Sequence, residues 1–395
     1  MNETTTAICI IVENLPVPFD RRVWQEARAL AEAGYRVSVI CPKGRGFEQH
    51  YETREGIEIY RHAIWEASGR LGYLVEYGWA LAAEFFLALK VYARTRFRIL
   101  HACNPPDTIF LIGLFFKLFG VRFIFDHHDL NPELYEAKFG RRGLLYQMVC
   151  LAERATFKTA DVSIATNESY REVALTRGRM RPERVFIVRS CPDLKNVRME
   201  PPREELKEGR KYLVVYLGVM GPQEGLDLLL ESIEHIVKHE KRADTLFAFI
   251  GGGTEFLRVK ALAARKGLDP FVKFTGRIPD DELSAYLSTA EVCVAPDPKN
   301  EMNDKSTMNK ILEYMAYARA VVLFDLAEGR RSAGDAALYA KPNDPIDFAA
   351  QIVTLLDSEQ LRRELSARGR NRIEESLNWD NEKKSLLAAY AAAVK

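Results

Sequence analysis

Short β-rich runs alternate with helix-length apolar-periodic segments along almost the whole chain, and this alternation most constrains the fold. AICIIV (7–12), RVSVIC (36–41), IEIYRH (57–62), RILHAC (98–103), VRFIFD (121–126) and DVSIAT (161–166) read as strands. The pattern breaks at CPDLKNVRMEPPREELKEGRK (191–211), where Pro192, Pro201 and Pro202 sit among charges as in a linker. It then restarts with KYLVVYLG (211–218), TLFAFIGG (245–252), FVKFTG (271–276), EVCVAP (291–296) and AVVLFD (320–325). Alternating β and α implies parallel sheets covered on both faces. A chain of 395 residues has room for two such domains. The spacing therefore predicts an α/β protein of two doubly wound halves with a cleft between them. Ligands of such sheets bind beyond the carboxyl ends of strands.

Composition narrows the function. A formal net charge of +1 argues against a nucleic-acid partner. The six cysteines are scattered with no CxxC pair, which suggests neither a zinc site nor a disulfide framework and fits a reducing cytoplasm. MNETTTAICIIVENLP lacks a basic n-region and does not read as a signal peptide. The longest apolar stretch, residues 71–93, is interrupted by Glu76, Glu84 and Lys90 and predicts a packed helix rather than a bilayer span. A surface-lying amphipathic helix is the other reading of this stretch and of LIGLFFKLFG (111–120).

The strand ends hold the informative residues. Gly218 follows one strand, Gly251, Gly252 and Gly253 the next, and Arg277 and Ile278 the third. After the fourth comes NDKSTMNKILEYMA, with Ile311, Leu312, Met315 and Ala316 at helical spacing and Ser306 or Thr307 as the expected N-cap. Lys310 then lies in the first turn and Lys305 just outside, against the helix dipole, which suggests an anion between them. The bland alternative is that both lysines bend into water. In the first half, Asp20 is the expected N-cap of a helix whose first turn holds Arg21 and Arg22. They face an anion or pair with Asp20 and Glu26. Asp126, His127, His128 and Asp129 close another strand. Adjacent strand residues point to opposite faces, which disfavours metal ligation by both histidines. A histidine oriented by a carboxylate is the commoner arrangement in a cleft.

Taken in order, DRRVWQEARALAEAGYRVSVICP, FDHHDLNPE, YLGVMGPQEGLDLLLESI, FIGGGTEF, FTGRIPDDELSAYLSTAEVCVAP, KILEYMAYARAVV and NWDNEKKSLLAAY resemble the landmarks of a retaining GT-B glycosyltransferase of glycosyltransferase family 4. The resemblance implies a fold of two Rossmann-like domains facing each other across a cleft. An acceptor domain would span 1–192, a linker 193–211, a nucleotide-sugar domain 212–376, and a C-terminal helix, 377–395, would cross back. It further implies hexosyl transfer from a nucleotide diphosphate sugar, with no cofactor required and Mg2+ not expected. The catalytic set would be His128, Asp129, Lys310 and Glu313, with Glu313 holding the ribose hydroxyls. Gly218, Gly251, Gly252, Gly253, Arg277, Ile278, Lys305, Ser306, Thr307, Met308 and Asn309 would line the donor. Asp20, Arg21, Arg22 and Asn104 would stand on the acceptor or phosphate side, and no residue is assigned to a metal.

Departures from the family pattern are specific. Val219 and Glu224 stand where a diphosphate-neutralising arginine and lysine are usual, and Lys305 stands for a glutamate. Lys305 and Lys310, with Arg21, Arg22 or Arg331, are the expected substitutes, and Asp304 or Glu301 the expected sugar contact. The competing readings are a degenerate sugar-nucleotide sensor or assembly partner, and a sugar-nucleotide epimerase using Glu133 and Glu136. The resemblance implies a glycan or lipid-linked acceptor, used in cell-surface polysaccharide or glycolipid synthesis. It places the chain in the cytoplasm, with contact at the inner membrane face as a further reading.

Overall fold

The computed structural model describes residues 6–63, 70–140 and 142–394 and, apart from 70–77 and 138, their side chains. The first five residues of the leader reading, and the side chains of the first part of the 71–93 stretch, lie outside this description. The chain divides into two compact units, Met1–Ser190 with Glu382–Lys395, and Cys191–Asn381.

The first unit runs β1 (Ala7–Ile11), α1 (Arg21–Glu32), β2 (Arg36–Pro42), β3 (Tyr51–Arg54), β4 (Ile57–His62), α2 (Arg70–Thr95), β5 (Ile99–Cys103), α3 (Phe110–Lys117), β6 (Arg122–His127), α4 (Asn131–Phe139), α5 (Leu144–Thr159), β7 (Val162–Ala165), α6 (Glu168–Thr176) and β8 (Val185–Ile187). Its sheet has the order β3-β4-β2-β1-β5-β6-β7-β8. All pairings are parallel except β3 with β4. β1 and β5 are buried at every position, as strands covered on both faces must be. The order reverses between β1 and β5, so the crevice of this sheet opens at the carboxyl ends of those strands.

The second unit runs β9 (Tyr212–Leu217), α7 (Leu226–Glu234), β10 (Thr245–Ile250), α8 (Phe256–Arg265), β11 (Val272–Gly276), α9 (Asp280–Thr289), β12 (Val292–Ala295), α10 (Glu301–Lys305), α11 (Asn309–Ala316), β13 (Ala320–Phe324), α12 (Ala327–Ala333), β14 (Ala337–Ala340), α13 (Pro345–Asp357), α14 (Glu359–Glu375) and α15 (Trp379–Val394), the last passing into the first unit. The all-parallel sheet order is β11-β10-β9-β12-β13-β14. This is the doubly wound order, with its switch point between β9 and β12.

The sequence reading omits β3, β8 and β14. β3 is a polar, mostly exposed edge strand, and β8 and β14 are only three and four residues long. Ser306 and Thr307 are not the N-cap of α11. A separate turn, α10, precedes it, capped by Asn300, whose Oδ1 accepts from the Asn303 N–H at 2.8 Å. Ser306 ends that turn and donates back to the Met302 carbonyl at 2.8 Å. Met308 stands at the N-cap of α11 and makes no side-chain bond to the helix.

The proline-rich stretch is tied down along the second unit. The Glu200 N–H donates to Ser288 Oγ at 3.0 Å, the Arg203 N–H to Thr289 Oγ1 at 2.9 Å, and Lys207 Nζ to Glu291 at 2.8 Å. Beyond Asn381, α15 packs on the first unit. The Tyr390 hydroxyl meets His101 Nδ1 at 2.7 Å, both fully buried, and the Tyr390 ring lies 5.6 Å from that of Tyr35. Among the described residues no helix is long and apolar enough to cross a membrane. Tyr390→Phe removes the hydroxyl that meets His101 Nδ1 and leaves that buried nitrogen unsatisfied, and chemical denaturation is expected to show a loss of about 1–3 kcal/mol.

Candidate active site

A charged cluster is buried at the switch point of the first sheet. Asp20 caps α1 through the Val23 N–H at 3.0 Å, which aims the first turn at the strand ends. The guanidinium of Arg22 does not face outward. It donates to Asp126 Oδ1 at 2.9 Å and to the Val188 carbonyl at 2.7 Å, and lies 3.0 Å from His128 Nε2 and 3.1 Å from Glu26. Arg22 thus belongs to the framework of this site, pairing with Glu26, while its neighbour Arg21 is exposed.

His128 Nε2 lies 2.5 Å from Asp126 Oδ2. The carboxylate that orients His128 is therefore Asp126, the last-but-one residue of β6, rather than Asp129. Asn104 fixes the backbone of this turn. Its Oδ1 accepts from the His128 N–H at 2.7 Å and the Asp129 N–H at 3.2 Å, and its Nδ2 donates to Asp107 at 2.8 Å. Burial alone would raise the Asp126 carboxyl, but Arg22 and His128 beside it hold it well below the carboxylate range. Burial pulls the His128 imidazole down, and the Asp126 carboxylate overrides it, so His128 is raised. Glu26, fully buried, is pushed up to about 7 by burial against the pull of Arg22.

His127 points the other way. It packs among Phe125, Phe157 and Tyr170, and burial with the nearby Arg177 charge pushes it down to about 3. His101, Cys103 and Asp126 have ligand atoms close enough for one ion. Arg22 on the Asp126 carboxylate opposes a cation there. Glu133 pairs with Arg177 at 3.0 Å and Glu136 with Arg142 at 2.8 Å, so ion pairs hold both carboxylates of the epimerase reading.

The second unit repeats the pattern at its own switch point. Lys310, in the first turn of α11, is 9% exposed. Its ammonium is not turned to water and already has anions. It donates to Glu224 Oε2 at 2.5 Å and to Asp297 at 2.9 and 3.2 Å, and lies 5.1 Å from the Tyr216 ring centre. Glu224 also accepts from the Tyr216 hydroxyl at 2.8 Å. Burial pushes Asp297 up to about 6 despite Lys310. Burial would lower Lys310, and the two carboxylates raise it instead.

Asp126, Glu26, Glu224 and Asp297 are absent from the sequence-derived site. The Asp126-x-His128 spacing, which turns both side chains to one side as the chain leaves β6, was the available signal for the first. Glu26 stands one turn along α1 from Arg22 and Asp297 lies 13 residues before Lys310, so only Glu224 is brought in from far along the chain.

The remaining donor-side residues surround this cluster. Gly251, at φ +124°, lets the β10 turn meet the β9 turn, since a Cβ there would lie 1.9 Å from the Gly218 carbonyl oxygen. The Gly218–Gly251 pair thus brings two backbones together, while Gly252 faces open space. Arg277 and Asn309 are exposed, and Ile278, Thr307, Met308 and Glu313 are half-buried. Lys305 reaches Glu301 at 3.3 Å. The Asp304 carboxylate accepts from the Ala327 N–H at 2.8 Å, and Arg331 pairs with Glu328.

Two doubly wound units, each with a charged cluster at its switch point, define the GT-B class. A glycosyl transferase 4-like domain model matches residues 20–191, and a model described as glycosyl transferases group 1 matches residues 211–358. The chain belongs to this glycosyltransferase family. It is 24% identical to the MMP alpha-(1->4)-mannosyltransferase of Mycolicibacterium hassiacum over 68% of this chain and 64% of that one. The chain spans less than half the length of the first curated relatives it matches, 46% and 41%. Sucrose-phosphate synthase from Thermosynechococcus elongatus superposes with a TM-score of 0.79 at 19% identity, covering 98% of both chains. Anabaena Alr3699/HepE, solved in complex with UDP-glucose, superposes with 0.75 at 14% identity, over 98% of this chain and 99% of that one.

Two outcomes are expected from these clusters. Lys310→Met leaves Glu224 and Asp297 buried without their cation and should cost about 3–5 kcal/mol in denaturant unfolding. Asp126→Asn should move the His128 titration to lower pH in imidazole NMR spectra. Because Asp126 raises folded His128 above its unfolded value, the pair's stabilisation is present below about pH 6.5 and lost as pH rises through the raised value.

Proposed function

We propose that the chain transfers a hexose from a nucleotide diphosphate sugar to a hydroxyl of a glycan or lipid-linked acceptor, with retention at the anomeric carbon, in cell-surface polysaccharide or glycolipid synthesis. The observation that carries this reading is a buried lysine ammonium at the switch point of the group 1 domain, on the first turn of α11. A departing diphosphate needs such a positive charge. Glu313, one turn further along α11, is the acceptor for the ribose hydroxyls. The backbone at Arg277 and Ile278 faces the base, and the segment from Lys305 to Asn309 and the turn at Gly252 flank the phosphates.

In the first unit His128 stands beside the reacting sugar, positioned by Asp126, Arg22 and Asn104. Asp20 and Arg21 border the acceptor, and Asp129 lies behind the turn. Retention follows if the acceptor oxygen attacks from the face the diphosphate leaves. The acceptor proton passes to the departing phosphate oxygen, so no protein nucleophile is required. The counter-charged Lys310 favours one rival, a sugar-nucleotide sensor without turnover.

Titration of the full chain with UDP, GDP and ADP, with and without Mg2+, separates the readings. One base is expected to bind at about micromolar Kd. Glu313→Gln should weaken that binding roughly 10- to 100-fold through loss of charged hydrogen bonds. His128→Ala should leave binding in place and cut release of nucleotide from the matching sugar donor about 100-fold or more. Binding without any nucleotide release from sugar donors would favour the sensor, and no binding of any of the three would end the transferase reading.

For the acceptor side we propose an anionic membrane surface as the resting place of the first unit. Leu111, Leu114 and Leu118 form one exposed stripe along α3 and its end, and Leu144, Met148 and Leu151 another on α5, which continues into exposed Arg154 and Lys158. Helical spacing puts each set on one face, and apolar residues leading into cations suit an anionic bilayer. Flotation with vesicles containing anionic lipid is expected to carry the protein upward, and the double variant Leu144→Asp with Leu151→Asp should stay at the bottom. Equal flotation of wild type and double variant would refute the surface.

A further inference from the structure

We propose that Glu224 sets the affinity of the donor site: its carboxylate, with that of Asp297, holds the Lys310 ammonium, and an incoming diphosphate must displace it. This rests on the reading of Lys310 as the diphosphate's cation.

The geometry leaves the ammonium no spare capacity. Three carboxylate oxygens lie 2.5, 2.9 and 3.2 Å from Nζ. A lysine has three N–H donors, and these contacts account for them. Two carboxylates against one ammonium leave the cluster with a net negative charge. A phosphate brought to the same ammonium meets like charge in a poorly hydrated setting, where it is least screened.

The two carboxylates are not equivalent. Asp297 is short, approaches Lys310 with both oxygens, and its side chain is 3% exposed. Glu224 has a longer side chain that is 13% exposed and touches Lys310 through one oxygen. It sits on the turn Pro222–Glu224, which ends at Gly225 with φ +67°. Glu224 is thus the member that can swing out while Asp297 keeps the ammonium in place. The groups facing the cluster are Tyr216 of β9, Tyr314 and Glu313 of α11, and the two carboxylates themselves.

Two consequences follow. Neutralising Glu224 should admit diphosphates more tightly. Donor binding should also take up protons, because a carboxyl that loses its share of Lys310 binds its proton more firmly. Asp297, already pushed up to about 6 by burial, is the group that gains one, because the diphosphate takes part of its Lys310 contact and sets further negative charge beside it. Binding should therefore strengthen as pH falls towards that value.

The test is calorimetry of the full chain with UDP-glucose and GDP-mannose, at about pH 6 and about pH 8, in two buffers of different ionisation enthalpy. Thermal unfolding of each variant reports its folding. Wild type is expected to bind one donor more tightly at the lower pH, with proton uptake. Glu224→Gln is expected to tighten Kd about 10-fold and to flatten the pH dependence. Donor binding seen only in Glu224→Gln supports the same mechanism. Weaker binding in a folded Glu224→Gln would overturn it, since Glu224 would then hold the ligand. Binding that needs Mg2+ and disappears in Glu224→Gln also overturns it, because the carboxylates would then hold a cation. If neither folded protein binds either donor, the donor-site reading fails and takes the proposal with it. That result is distinct from wild-type binding that Glu224→Gln leaves unchanged, which overturns the proposal alone.

Discussion

Burial of a cation against carboxylates at a sheet switch point is the interaction on which both units depend. Arg22 with Asp126 and Glu26 closes the first, and Lys310 with Asp297 and Glu224 closes the second. Desolvating such groups is costly, and each is tolerated only because its partners are in place. Each pairing also ties a loop that follows one strand to an element that follows another. Arg22 on α1 is clamped to β6, and Lys310 on α11 to the ends of β9 and β12. The loops that carry His128 and the α11 N-terminus are held by charge as much as by apolar packing.

The same interaction sets the chemistry each site can offer. In the first unit the pairing leaves His128 with its imidazole against a carboxylate, and Asn104 holds its backbone. In the second it leaves an ammonium whose hydrogen bonds are already spent on carboxylates. A cation in that state is less available to an anionic ligand than its position suggests. Glu224 therefore changes the meaning of the whole second cluster.

The alternation of strands and helices was legible because parallel strands covered on both faces are mostly apolar, as β1 and β13 are throughout. β3 was not, because an exposed edge strand need not be apolar. The N-cap of α11 was misread since Ser306 is a good cap by type, and nothing local announces that α10 will claim its hydroxyl. His128 and Asp126 could be seen together, two residues apart at one strand end. Arg22 could be seen only as a cation in a helix first turn, with its direction undecided.

The sequence by itself determined the class of fold, the placement of Lys310 and His128 at strand ends, and the family, because these depend on local periodicity and on motif order. Only the tertiary structure decided which charges meet. Glu224 and Lys310 are 86 residues apart, and Arg22 and Asp126 are 104 apart. Whether a buried ammonium awaits an anion or already holds one depends on side chains brought together by the sheet order, and no local pattern encodes that. The electrostatic state of each site is therefore a property of the folded chain.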